Sequence, residues 1–206
     1  HSFDIIFLCV KPNDIETAIN ENIDLFVDNQ IVVSVAAGIK IKTIKNLIKR
    51  DSGVVRAMPN LCAVFNESIT GFCSDNNVGD NKKKHIEGIF RSIGYVREIK
   101  EEEMDSFTAL FGSGPAYIMY FIESLMKCES FDSIDEEDKS LLILNLLSST
   151  SKMLLVTENI NYLRKKVTSK GGTTEAAIKL FEDKDFMKIV RDAIQKATKR
   201  SLEMSK

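Results

Sequence analysis

The sequence predicts an α/β half followed by an all-α half, on three observations. Up to Lys100, unbroken apolar runs alternate with amphipathic stretches of helical period, which argues for a parallel sheet covered on both faces. After Lys100 the strand signal stops and everything reads as helix, so the composition shift divides the chain into 1–100 and 101–206. With 44% hydrophobic residues among 206, there is enough apolar material for a substantial core.

In the first half, residues 3–10 predict a buried strand through Ile5, Ile6, Phe7 and Leu8, stopped by Lys11 and Pro12. Ile15, Ala18, Ile19, Ile23 and Phe26 recur at helical spacing over 14–26. Residues 31–35 predict a second buried strand, closed by Ala36-Ala37-Gly38. Ile41, Ile44, Leu47 and Ile48 then mark a short amphipathic helix. A strand is expected around Val54-Val55-Arg56, then a turn at Met58-Pro59-Asn60 and a strand over 68–73. The polar run 74–84 leads into a helix with Ile86, Ile89, Phe90 and Ile93 on its apolar face; Gly94 ends it and Tyr95 to Ile99 add a last strand.

The second half is helical throughout. Residues 116–127 and 141–156 are apolar on most sides, and helices without a wide polar face must be buried. One small domain has too little interior for two of them, so a homodimer interface is the expected cover. The acidic stretch 132–138 predicts a solvated connection with Asp135 as helix cap, and 185–204 a final amphipathic helix with Lys and Arg outward.

Composition excludes several classes of function. A net charge of −2 implies no surface for nucleic acid. Cys9, Cys62, Cys73 and Cys128 have no metal-ligand spacing, and Cys9 and Cys62, in apolar stretches, are expected to be buried. Reduced thiols fit a cytoplasmic protein. The two histidines, His1 and His85, are poorly placed for acid–base work. The run Leu141 to Leu147 is too short to cross a bilayer, and no targeting segment is evident. The chain opens on His1 with no initiator methionine and enters a strand almost at once, so a fragment of a longer protein is expected.

Two stretches carry the chemistry. In 167–178, Ser169-Lys170-Gly171-Gly172-Thr173-Thr174 forms a glycine-bearing loop running into a helix, with Thr173 or Thr174 as its cap. First-turn amides and the helix dipole make such a place suited to a carboxylate or phosphate. In 105–117, a helix, the break Gly112-Ser113-Gly114 and a second helix opening at Pro115 follow one another. The two glycines do not form a dinucleotide fingerprint, since no strand precedes them and Tyr117 holds the third glycine position.

Together with Val10-Lys11-Pro12, Ala36-Ala37-Gly38 and Arg56-Ala57-Met58-Pro59-Asn60, these stretches resemble Δ1-pyrroline-5-carboxylate reductase along essentially the whole chain. The resemblance implies a partial Rossmann-type sheet over 1–100, then a helical dimerisation and substrate-binding domain over 101–206. It implies NADPH- or NADH-dependent reduction of a cyclic imino acid to L-proline by a homodimer or a ring of dimers; composition and spacing add the expectation of no nucleic acid, membrane or metal. Carried over, Ser169 and Thr174 donate side-chain hydrogen bonds to the substrate carboxylate, and Gly171, Gly172 and Thr173 donate backbone amides. Thr108 matches the threonine near the imine nitrogen, in a hydrogen-bonding or water-relay role; a lone helix threonine bonded to the carbonyl four residues back is the plain alternative. Lys11, Pro12, Ala36 and Ala37 match positions lining nicotinamide and ribose at the strand ends, with Asn60 beside the cofactor. Lys170 departs from the family proline and Lys166 from a frequent asparagine. No G-x-G-x-x-G turn or ribose-selecting residue occurs in the sequence, so NADH and NADPH are not distinguished and the 206 residues alone are expected to be inactive. An imino-acid-binding or assembly module without cofactor is the alternative function.

Overall fold

The computed structural model describes residues 3–129, 131–156 and 159–204; His1 lies outside them. Five strands, β1 (Ile5–Leu8), β2 (Ile31–Ser34), β3 (Gly53–Met58), β4 (Ser68–Ser74) and β5 (Gly94–Glu98), form one sheet in chain order. The pairs β1–β2, β2–β3 and β4–β5 are parallel, as the unbroken apolar runs predict. The pair β3–β4 is antiparallel, which those runs do not reveal. Residues 59–67 are too few for the crossover a parallel return requires, so the chain doubles back beside itself.

Alternation along the strands fills two cores. Val32 and Val54 point to one face, where Ile15 and Ile19 of α1 (Ile15–Glu21) and Ile44 and Ile48 of α2 (Ile41–Ile48) cover them. Val33, Val55 and Ala57 point to the other, against Ile86 and Phe90 of α3 (Asp80–Arg91). Each fully enclosed valine or isoleucine here contributes roughly 1.5–3 kcal/mol. The helix expected over 14–26 is shorter: one 3-10 turn precedes α1 and another, Ile23–Leu25, follows it. The chain leaves the helical region at Asn22, whose side-chain amide donates to the Ala18 carbonyl at 2.9 Å.

The cysteines also depart from expectation. Cys9 is exposed, because β1 ends at Leu8, and Cys62 is only half-buried in the 3-10 segment Leu61–Phe65. Cys73 is the buried one, and burial first, then the nearby Glu101 carboxylate, pushes its thiol up to about 12.

The rest is helical: α4 (Met104–Phe107), a π-helical turn Thr108–Gly112, α5 (Gly114–Met126), α6 (Glu136–Leu155), α7 (Ile160–Lys166), α8 (Thr173–Asp183) and α9 (Phe186–Met204). The break expected at 112–114 is confined to Ser113, and Pro115 is the second residue of α5, not the first. Asp135 caps α6 as predicted, accepting from Asp138 N at 2.8 Å. Asp185, expected to open the last helix, instead adopts φ 52° and separates α8 from α9.

By packing, the chain divides into two compact units. One spans residues 1–115 and 193–206, the other Ala116–Asp192. Within the first, Met104 joins the core on the α1–α2 side of the sheet. Within the second, no described apolar side chain is buried, and Tyr120 (72% exposed), Leu142 (57%) and Leu146 (60%) lie open. Among the described residues no helix is long and apolar enough to cross a membrane.

Candidate active site

In the second unit, the loop before α8 is shaped by its two glycines. Gly171 has φ +74°, a conformation L side chains rarely adopt. At Gly172 a Cβ would stand 2.6 Å from Ser169 Oγ and 3.1 Å from Ser169 O, so a larger residue would push the Ser169 hydroxyl from its present place over the loop. Gly172, not Thr173 or Thr174, is the N-cap of α8, and no side chain caps it. The threonines fall inside the first turn because Gly172 N already donates to Ser169 O at 3.0 Å, closing the loop one residue earlier. Gly171 N donates to Glu175 Oε2 at 2.7 Å. A carboxylate of the protein thus sits on one of the amides predicted to hold a carboxylate ligand. Gly171 and Gly172 line an open groove in which Arg164, Lys165 and Lys179 are matched by Glu175, Glu182 and Asp183, so charges of both signs border the loop. Ser169 is exposed and Thr174 half-buried.

In the first unit, Thr108 is 8% exposed and opens the π turn, with Ser113 N donating to its carbonyl at 2.9 Å. Such turns are rare and frequent at functional sites. The Thr108 hydroxyl donates to the Met104 carbonyl at 2.7 Å, the back-bonded arrangement of helix threonines. Its proton is therefore engaged, and what Oγ1 offers a ligand is lone pairs.

The strand-end residues Lys11, Pro12, Ala36 and Ala37 follow two strands that pair in parallel. Val35 N donates to Leu8 O at 3.2 Å, prolonging the β1–β2 pairing, so Lys11-Pro12 and Ala36-Ala37 both follow the carboxyl ends of neighbouring parallel strands. Ala36 is buried, Ala37 and Pro12 half-buried and Lys11 exposed. Small side chains with one cation at adjoining parallel strand ends fit the nicotinamide end of a dinucleotide. Asn60 stands apart in its bonding: its Oδ1 accepts from Cys62 N and its Nδ2 donates to Phe111 O, each at 3.1 Å.

Sequence reasoning passed over three polar groups. Glu175 stands three residues after the Gly172 cap, a capping-box spacing that could have flagged it. The others are Asp105 and Ser201. Arg56, fully buried in β3, places NH2 at 3.4 Å from Asp105 Oδ1, which also accepts from Ser201 Oγ at 2.6 Å. Arg56 NH1 has no hydrogen-bond partner among the described residues and lies 3.9 Å from Glu101 Oε1. The lone arginine within an apolar strand was a visible signal; its partners, distant in sequence, were not. Among the described residues no acidic, histidine or cysteine cluster could hold a metal ion.

Comparison with known proteins bears on both units. The family model for pyrroline-5-carboxylate reductase dimerisation matches residues 101–204. Pyrroline-5-carboxylate reductase 2 of Bacillus subtilis is 35% identical over 202 residues, covering 98% of this chain and 72% of that protein. The crystal structure of Plasmodium falciparum pyrroline carboxylate reductase with NADP bound aligns with a TM-score of 0.92 at 29% identity, over 98% of this chain and 78% of that one. The pyrroline-5-carboxylate reductase of Coxiella burnetii aligns at 0.87 and 33% identity, over 98% and 76%. Because the sheet and the helical half align together with these enzymes and the dimerisation model spans the latter, the chain belongs to the pyrroline-5-carboxylate reductase family.

Proposed function

We propose that this protein reduces Δ1-pyrroline-5-carboxylate to L-proline with NADPH or NADH, the last step of proline biosynthesis, as a homodimer. The observation that carries this reading is the 35% identity to a reductase along 98% of the chain. When bound, the nicotinamide supplies the hydride that reduces the imine carbon. The chain's own residues bind, orient and exclude. The half-buried Pro12 and Ala37 face a planar ring, Ala36 packs beneath them in the core, and Lys11 adds positive charge.

The substrate carboxylate falls to the loop of the second unit. The Ser169 and Thr174 hydroxyls and the first-turn amides from Thr173 onward serve as donors, strengthened by the helix dipole. Gly171 joins them when Glu175 releases its amide; Gly172, whose amide is bonded to Ser169 O, shapes the loop. Thr108 acts at the nitrogen. A cyclic imine is readily protonated in water, so no strong acid is needed, and the Oγ1 lone pairs suit an N–H donor. Thr108 thereby orients the protonated imine and does not deliver the proton.

A ring of dimers, a cytoplasmic location and independence from nucleic acid and membranes complete the proposal; a charge of −2 gives no surface for a polyanion. The test is a turnover assay on the complete enzyme, nucleotide-binding turn included, following reduced-nicotinamide absorbance and L-proline formation. Substrate-dependent oxidation of the cofactor with matching proline is expected, and none from folded, dimeric protein would overturn the assignment.

A further inference from the structure

Thr108 lies in a segment held from one side by a single hairpin. The antiparallel strands β3 and β4 and their connection, residues 53–74, contact the segment 104–112 at both ends of the π turn. Upstream of Thr108, buried Arg56 of β3 pairs with Asp105. A Cβ at Gly71 of β4 would fall 2.8 Å from the Phe107 ring, so that ring rests directly on the strand backbone. Downstream, a Cβ at Gly112 would come within 3.0 Å of Met58 Cε and 3.6 Å of Thr108 Cγ2. Last, the Asn60 amide donates to Phe111 O inside the π turn while its oxygen accepts from Cys62 N. Phe111 O has no α-helical donor because residue 115 is proline, so the Asn60 amide supplies a donor in its place and ties the end of the π turn to the hairpin.

We propose that Asn60 is a positioning residue: it fixes the π turn through the Phe111 carbonyl and so sets where the Thr108 oxygen points. The proposal rests on the reading of Thr108 as the group that holds the imine nitrogen. It moves Asn60 from the cofactor, where family position suggested it, to the geometry of the substrate end. The single antiparallel pair of the sheet gains a purpose by it, since that reversal brings Arg56, Met58, Asn60 and Gly71 to bear on one segment.

The test is a double-mutant cycle in the same complete enzyme. Asn60→Asp keeps an acceptor for Cys62 N but sets a carboxylate oxygen against the Phe111 carbonyl. Loss of that hydrogen bond is expected to lower kcat by about tenfold. KM for NADPH and for NADH should stay within about twofold of the parent, since Asn60 makes no cofactor contact in this account. In a Thr108→Val background the same change should cost less than about twofold, because the group it positions is gone. Gly112→Ala, which presses on the flexible end of Met58, is the second arm and decides alone if Asn60→Asp does not fold. It should also lower kcat, and lose that effect with Thr108→Val. Additive losses in the Thr108→Val background, a change confined to cofactor KM, or an unchanged kcat in either folded variant would overturn the proposal. If Thr108→Val itself leaves kcat intact, the Thr108 reading fails and this inference with it. Coupling absent despite a large Thr108→Val effect removes only the inference.

Discussion

The two compact units differ in how they treat their apolar side chains. In the first, Val32, Val33, Val54, Val55, Ile19, Ile44 and Ile86 are completely enclosed by the chain's own sheet and helices. In the second, Ala116–Asp192, the buried residue among those described is Lys139, whose ammonium donates to Cys128 O at 2.8 Å, while long rows of leucine, isoleucine and tyrosine face outward. The α/β unit closes its core within one chain. The helical unit cannot, and exposed apolar faces of that extent mark an association surface. A dimerisation family model spanning residues 101–204 agrees with that conclusion. Folding of the second unit is therefore expected to be coupled to assembly, and that of the sheet unit to be independent of it.

The largest expected effect comes from breaking the helical unit. Leu142→Asp or Leu146→Asp puts a charge on a surface that becomes dry only on association, and an unpaired buried carboxylate costs several kcal/mol. Sedimentation should show monomer, or the helices should melt while the strands persist. Stable dimer from both variants would break the contrast between the units.

A second prediction sharpens the contrast by ligand. Ser169→Ala and Thr174→Ala act in the helical unit, and loss of a hydrogen bond to a charged group is worth roughly 1.5–3 kcal/mol. KM for the imino acid should rise by about ten- to a hundredfold while cofactor affinity, carried by the sheet unit, stays put. Glu175→Gln should act in the opposite direction, by a few-fold at most, since it removes a competing charge from beside Gly171 and leaves an acceptor there. Unchanged imino-acid KM in both alanine variants would take these hydroxyls out of the cup.

How much of this was legible follows the same division. The strands of the first unit were readable because burial on both faces leaves them largely apolar, as in Ile31 to Val35, where Ser34 is the one polar residue. The reversal at β3–β4 was not, because antiparallel and parallel strands buried alike carry the same apolar signature. The π turn was invisible: Thr108 to Gly112 differs from helical sequence only in its glycine, and its geometry comes from Met58, Asn60 and Arg56, remote in the chain. The exposed state of Cys9 escaped notice because hydropathy cannot tell the last residue of a strand from the one beyond it. In the loop, the glycines and the tight turn they allow were legible, but Glu175 lying across Gly171 is a question of rotamer that composition does not address.

The smallest expected effect concerns the interior of the sheet unit. Burial, followed by the Glu101 charge, raises the Cys73 thiol from 9.0 to about 12. Between those values the folded chain keeps the proton and the unfolded chain releases it, so stability is full below pH 9 and declines as pH rises toward about 12. Cys73→Ala should flatten that part of the profile in chemical denaturation. An equally steep decline in the variant would place the titration elsewhere. Exposed Cys128 should react with an alkylating reagent while Cys73 does not.

Segment-resolved hydrogen exchange across a dilution series tests most directly whether the helical unit depends on its partner. Sedimentation on the same samples would locate the dimer–monomer transition. Amides of Glu136–Leu155 should lose protection as the dimer dissociates, while those of Ile31–Ser34 and Gly53–Met58 keep theirs at every concentration. A monomer in which Glu136–Leu155 stays as protected as the strands would contradict the account.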